Sequence, residues 1–285
     1  VSTFAFRQVD VFASGPLSGN PVAVVHDADG LTDEQMAAFA RWTNLSETTF
    51  LLRPTVPGAD YRLRIWTPGG ELPFAGHPTL GSARAWLEAG GRPASDDVVQ
   101  ECGAGLVTVR QEALPDGGTR LAFAAPPLVR SGPVGSEDLA AIARALRVAV
   151  SDVVDAAWVD NGPGWVAVLL EDAGSVLALR PDFGAFGDLK IGVVGPYAPG
   201  ESDAAVELRA FIPAIGAPED PVTGSLNAGV GQWLAGRVLP ASYVASQGTA
   251  LGRRGRVHVR LEADGTLWVG GDTVTTIEGT VSLAT

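Results

Sequence analysis

A chain of 285 residues with 46% hydrophobic and 18% charged residues can bury one large core or two ordinary ones, and it is too apolar for disorder. The formal net charge of −12 repels phosphate backbones and argues against a nucleic-acid partner, while a single cysteine, Cys102, excludes an internal disulfide and a Cys-built metal site. No apolar run approaches the roughly 20 residues of a membrane helix and the first residues carry no signal-peptide pattern, so no membrane partner and a cytoplasmic address are expected.

In chain order, "GNPVAVV" (19–25) reads as a strand, followed by His26, which is expected to be structural. "TDEQMAAFAR" (32–41) reads as a helix and "TTFLL" (48–52) as a strand, which places Glu47 at their junction. A capping box Asn44-x-x-Glu47 would be the bland reading of that acid, but the helix precedes it. Next to Phe50 and Leu51, a carboxyl at a strand edge is expected to have a raised pKa and to shuttle protons.

The segment "PFAGHPTLGSARAWL" (73–87) leads into a helix that Pro78 is expected to start, with His77 at the capping position. Small residues behind it let that helix be approached closely. The free N–H groups at its start suit an anion, and a histidine beside them can bind or move a proton. Cys102 in "QECGAG" has no second cysteine to form a two-base pair and reads as a core or strand-end residue. "AAPPLVRSGPVGS" (124–136) is the linker candidate.

Further on, Lys190 is the only lysine, and "FGDLKIGVV" is neither a P-loop nor an evident Schiff-base site. The chain also lacks the G-x-S-x-G and H-E-x-x-H motifs, so no cofactor and no metal are expected. "PEDPVTGS" brings Asp220 close to Ser225, which reads first as an N-cap and second as a ligand donor. "ALGRRGRV" (250–257) is a basic turn whose Arg253, Arg254 and Arg256 either attract an anion or are simply solvated. "RVHVRLEADGTLWVGG" (256–271) is the clearest hairpin, with Asp264-Gly265 at its turn and a structural His258.

Two stretches repeat. Leu63-Arg64-x-Trp66-x-Pro68 matches Leu208-Arg209-x-Phe211-x-Pro213; Pro73 and Gly76 match Pro221 and Gly224 after a short insertion. Both copies end in a helix carrying Trp-Leu and closed by Gly, and upstream Val22 aligns with Val166. Each half therefore reads as a curved sheet wrapped around one apolar helix. Under pseudo-twofold symmetry, the helix starts at "GHPT" and "TGSLN" would face one another across a cleft and hold a carboxylate or enolate together.

"VDVFASGPLSGNPVAVV", "LSETTF", "FAGHPTLGSA", "EDPVTGSLN" and "QGTALGRRGRV" occur in the order and spacing of the PhzF family, which this chain resembles along nearly its whole length. The resemblance implies an α+β, diaminopimelate epimerase-like fold of two pseudo-symmetric halves, each a β-barrel around a central helix, with the active site between them. The halves are expected at 1–126, completed by a last strand at about 278–285, and at 127–277. Family members are commonly homodimers, so a homodimer is expected. Epimerases of the fold carry a cysteine at each helix start; here those loops read "GHPT" and "TGSL". The phenazine enzyme instead is similar in a Glu, a His and an Asp, which map onto Glu47, His77 and Asp220.

The expected activity is that of a cofactor-independent isomerase acting on a small unsaturated amino- or hydroxy-carboxylic acid, like trans-2,3-dihydro-3-hydroxyanthranilate isomerase. Glu47 removes and redelivers the proton, His77 and Asp220 orient the substrate and assist, and donors near Gly76, Gly224 and Ser225 hold its carboxylate or oxyanion. An amino-acid racemase or epimerase is the nearest rival, disfavoured by the missing thiol pair. A non-catalytic binder of small carboxylates is the rival from another class.

Overall fold

The computed structural model describes residues 1–115, 117–213 and 218–283; residues 214–217, within the loop of the second repeat, lie outside the described residues. The chain forms two compact units, Val1–Ala124 with Gly270–Thr285, and Ala125–Val269. Among the described residues no helix is long and apolar enough to cross a membrane.

The first unit runs β1 (Ser2–Val11), β2 (Asn20–Val25), α1 (Asp33–Thr43), β3 (Glu47–Leu52), β4 (Tyr61–Thr67), β5 (Gly70–Leu72), α2 (Gly76–Glu88), β6 (Val98–Cys102), β7 (Gly105–Ala113) and β8 (Thr119–Ala124). Met36, Phe39 and Ala40 line the inner face of α1 and pack on Phe50 and Trp66. Thr32 and Gln35 close a capping box at its start, and Asn44 ends it in the left-handed region at φ 52°. Asn44 is therefore a C-cap, and Glu47 is released from any capping role. β2 and β3 pair in parallel across α1, as β4 and β6 do across α2. The neighbouring pairs β1–β2, β3–β4, β4–β5, β6–β7 and β7–β8 are antiparallel.

The second unit repeats this order as β10 (Val153–Asp160), β11 (Trp165–Leu170), α4 (Ala173–Ala178), β12 (Lys190–Pro196), β13 (Val206–Phe211), β14 (Glu219–Asp220), α5 (Gly224–Leu234), β15 (Ser242–Gln247), β16 (Gly255–Leu261) and β17 (Leu267–Gly271). β11–β12 and β13–β15 are its parallel pairs, again across a helix. Preceding them are β9 (Arg130–Pro133), paired with β10, and α3 (Ser136–Leu146). The stretch read as a linker therefore contains a strand and the first residue of a helix.

β18 (Thr273–Leu283) pairs with β1 along its length as β9 pairs with β10, so the chain's last strand completes its first unit. It begins earlier than expected: residues 273–277, assigned from sequence to the second half, pair with Gln8–Val11.

In each unit one helix is almost wholly buried. α2 buries Gly76 through Ala83 and packs on β1, β2, β3, β8 and β18; α5 buries Gly224, Leu226 through Gly231, and Leu234, and packs on β10, β11 and β16. Glycines set the approach. A Cβ on Gly81 would lie 2.3 Å from Val22 Cγ1, and one on the equivalent Gly229 would lie 2.4 Å from the Val159 carbonyl oxygen. Gly90 and Gly236, at φ 93° and 72°, follow the two helix ends.

Candidate active site

Both repeated helices start earlier than the sequence suggests. α2 begins at Gly76 with Ala75 as N-cap, so His77 is its second residue and Pro78 its third; the Thr79 N–H already donates to the Ala75 carbonyl. Pro78 is tolerated there because the first-turn N–H groups have no intrahelical acceptor. α5 begins at Gly224 with Thr223 as N-cap, so Ser225 is not the cap but the equivalent of His77. Neither start is capped by a side chain, which leaves first-turn N–H donors for an anion.

In the first unit, β3 presents Glu47 at its first residue, where it is paired with Val22. Its Oε2 lies 3.3 Å from Nε2 of His77, without the alignment of a hydrogen bond. The His77 side chain is 4% exposed, and burial pushes its pKa down to about 3, so the imidazole is neutral at neutral pH. Asn20, fully buried at the start of β2, sets its Nδ2 3.4 Å from His77 Nδ1. The Asn20 amide thus contacts the ring nitrogen other than the one beside Glu47.

In the second unit, β14 holds Asp220 against Ala210 of β13. Thr223 Oγ1 donates to Asp220 Oδ2 at 2.5 Å. Gln247, at the end of β15, donates from Nε2 to Thr223 Oγ1 at 3.0 Å and to the Asp220 carbonyl at 3.2 Å. Its Oε1 accepts from the Thr223 N–H at 3.0 Å and from Asn227 Nδ2 at 2.9 Å. Ser225 Oγ accepts from Trp165 Nε1 at 2.9 Å, and its carbonyl accepts from Asn161 Nδ2.

Sequence reasoning missed Asn20, Thr223, Gln247 and Trp165 as supports. Asn20 and Gln247 do lie inside two quoted motifs, "GNPVAVV" and "QGTALGRRGRV".

The repeat register shows what is duplicated and what is not. Arg64 makes a two-point pair with Glu71, and its equivalent Arg209 makes one with Glu219; each guanidinium lies over the aromatic ring two residues on, Trp66 or Phe211. The chemical residues are not duplicated. Glu47 opposes Val22 as Ile191 opposes Val166, and Leu72 opposes Ile65 as Asp220 opposes Ala210. The two units thus carry different groups at matched positions.

Other candidates are engaged elsewhere. His26 packs at 3.1 Å from Arg7 Nη1, Lys190 Nζ donates to the Pro163 carbonyl at 2.6 Å, and the Cys102 thiol is pushed up by burial. Of the basic turn, Arg256 pairs with Asp203 at 2.7 Å and Arg254 lies 3.9 Å from the same carboxylate.

A family model described as phenazine biosynthesis-like protein, PhzC-PhzF, matches residues 9–279. Antisense-enhancing sequence 1 of Schizosaccharomyces pombe is 37% identical, with 96% of this chain and 97% of that protein covered. Trans-2,3-dihydro-3-hydroxyanthranilate isomerase of Pseudomonas aeruginosa is also 37% identical, over 90% of both. A crystal structure of the Bacillus anthracis PhzF-family phenazine biosynthesis protein superposes with TM-score 0.84 at 24% identity, covering 99% of this chain and 100% of that one. A hydroxyproline epimerase from Agrobacterium vitis, at 14% identity, TM-score 0.57 and coverage of 98% and 91%, shares the epimerase-like fold alone.

Proposed function

The chain belongs to the phenazine biosynthesis-like (PhzC-PhzF) family and is an isomerase, and on that premise we propose that it moves one proton within a small unsaturated amino- or hydroxy-carboxylic acid without metal or organic cofactor. The observation that carries this reading is the Glu47–His77 pair: a carboxylate 3.3 Å from a buried, neutral imidazole in the first turn of α2.

Glu47 takes a proton from a carbon of the substrate and returns it to another carbon of the same π-system, so the double bonds shift and no electrons or atoms are gained. His77, neutral and 3.3 Å from the Glu47 carboxyl, donates its one ring N–H to the substrate oxygen or nitrogen on which charge develops. Asp220 accepts from the substrate's amino or hydroxyl group. N–H donors around Gly76, Gly224 and Ser225 hold its carboxylate.

Inversion of a stereocentre by two bases would need a partner for Glu47. The equivalent of Glu47 is Ile191, and Ser225, the equivalent of His77, is already held by Trp165. That asymmetry supports one-base isomerisation over racemisation.

The test is turnover of trans-2,3-dihydro-3-hydroxyanthranilate in deuterated water, followed by NMR. The expected result is isomerisation that persists with a chelator present and falls by at least roughly 10²-fold in Glu47→Gln, with substrate affinity little changed. Near-normal turnover by a folded Glu47→Gln variant would show that Glu47 is not the shuttle. Loss of activity to a chelator, restored by a metal, would remove the cofactor-independent reading.

A further inference from the structure

Asp220, Thr223 and Gln247 are all buried and joined by hydrogen bonds. The Gln247 amide is oriented by two groups that cannot change role. Its Oε1 meets the Thr223 backbone N–H, an obligate donor, and its Nε2 meets the Asp220 backbone carbonyl, an obligate acceptor. A flipped amide would set donor against donor and acceptor against acceptor.

With Nε2 thus fixed, its contact with Thr223 Oγ1 at 3.0 Å makes that hydroxyl an acceptor from Gln247. That hydroxyl in turn donates its one proton to Asp220 Oδ2 at 2.5 Å. The chain of donation therefore runs from Gln247 to Thr223 to Asp220. A hydroxyl that donates to a carboxylate favours its ionised form, whereas burial alone would favour the neutral acid.

We propose that Gln247, acting through Thr223, is a positioning residue that holds Asp220 as an ionised hydrogen-bond acceptor. Asp220 is then not the acid that delivers the reaction's proton, and the substrate group it receives must be a donor: an amine, an ammonium or a hydroxyl. The inference rests on the reading of Asp220 as a substrate-contacting residue, but the relay itself is checked without a substrate.

The experiment is a pH titration of the full chain carrying ¹³Cγ-labelled aspartate, with the Asp220 signal assigned by its loss in Asp220→Asn. In Thr223→Val, which keeps the shape and removes the hydroxyl, Asp220 is expected to take up its proton at higher pH than in the parent protein. Thr223→Ser should restore the parent titration. In Gln247→Glu an acceptor replaces the amide N–H, competes for the Thr223 proton and should shift Asp220 in the same direction as Thr223→Val. This variant is the reading to use if Thr223→Val does not fold.

In kinetics on trans-2,3-dihydro-3-hydroxyanthranilate, the acid limb of the kcat/KM profile should move with the titration, with KM rising more than kcat falls. Identical Asp220 titration in the parent protein, Thr223→Val and Gln247→Glu would overturn the relay. Shifted titration without turnover of that compound would uphold the relay while overturning the proposed substrate class.

Discussion

His77 shows how strongly burial governs a single residue here. The folded chain holds it neutral down to about 3, whereas an exposed histidine titrates near 6.5. Below 6.5 the unfolded chain binds a proton that the folded chain refuses, so this contribution to stability is complete above 6.5 and is lost as the pH falls towards 3. The slope is at most about 1.4 kcal/mol per pH unit for the one proton. His26 is lowered too, by burial and then by Arg7, and adds to the loss in the same direction. Urea unfolding midpoints at pH 7.5 and 4.5 should fall less in His77→Gln than in the parent chain; equal losses would show that His77 is not the titrating group.

At the scale of elements, the repeated strand and hairpin keep one ion pair in two settings. The side chains of Arg209 and Glu219 are each 7% exposed, and Arg209 Nη1 also donates to the carbonyls of Val176 and Leu179 at the end of α4. Those of Arg64 and Glu71 are 15% and 38% exposed. Arg209→Met strands a buried carboxylate and should cost about 3–5 kcal/mol, whereas Arg64→Met frees two carboxylates that reach solvent, Glu71 and Asp33, and should cost no more than about 1 kcal/mol. Chemical denaturation of the two variants measures the difference. Because Glu219 adjoins Asp220 on β14, Arg209→Met should also weaken substrate binding, and Arg64→Met should leave the Asp220 strand undisturbed.

For the molecule as a whole, the governing feature is that strand 18 returns to strand 1. Residues 273–283 come last in the chain, yet they satisfy the outer ladder of Ser2–Val11 and pack against α2. A chain ending at residue 272 should lose the first unit's slow-exchanging amides, those of β1 and β2 first, while the second unit's β10–β13 remain protected. Hydrogen exchange read by mass spectrometry distinguishes the two. Protection of β1 equal to that in the full chain would mean that the last strand is dispensable for the first unit.

Much of this was legible in the sequence because local signals and the fold agree. The matched Leu-Arg-x-aromatic-x-Pro runs became equivalent strands, and "TDEQMAAFAR" became a helix whose apolar stripe finds Phe50. Glu47 stood out at a helix–strand junction and His77 at a helix start, and they lie together. Helix starts were misplaced by two residues at His77 and Ser225, because Pro78 suits a first helical position and Ser225 an N-cap until the first hydrogen bonds, Thr79 to Ala75 and Asn227 to Thr223, are formed.

The sequence by itself determined the duplication, the buried helices and the residue types available for proton transfer. These are properties of pattern and composition, which act over a few residues or between matched copies. Only the tertiary structure decided that His77 is neutral, that Asn20 orients it, and that Gln247 and Thr223 direct a proton towards Asp220. Each of these depends on desolvation and on partners far apart in the chain, 57 residues for Asn20 and His77, and no local periodicity encodes such a distance.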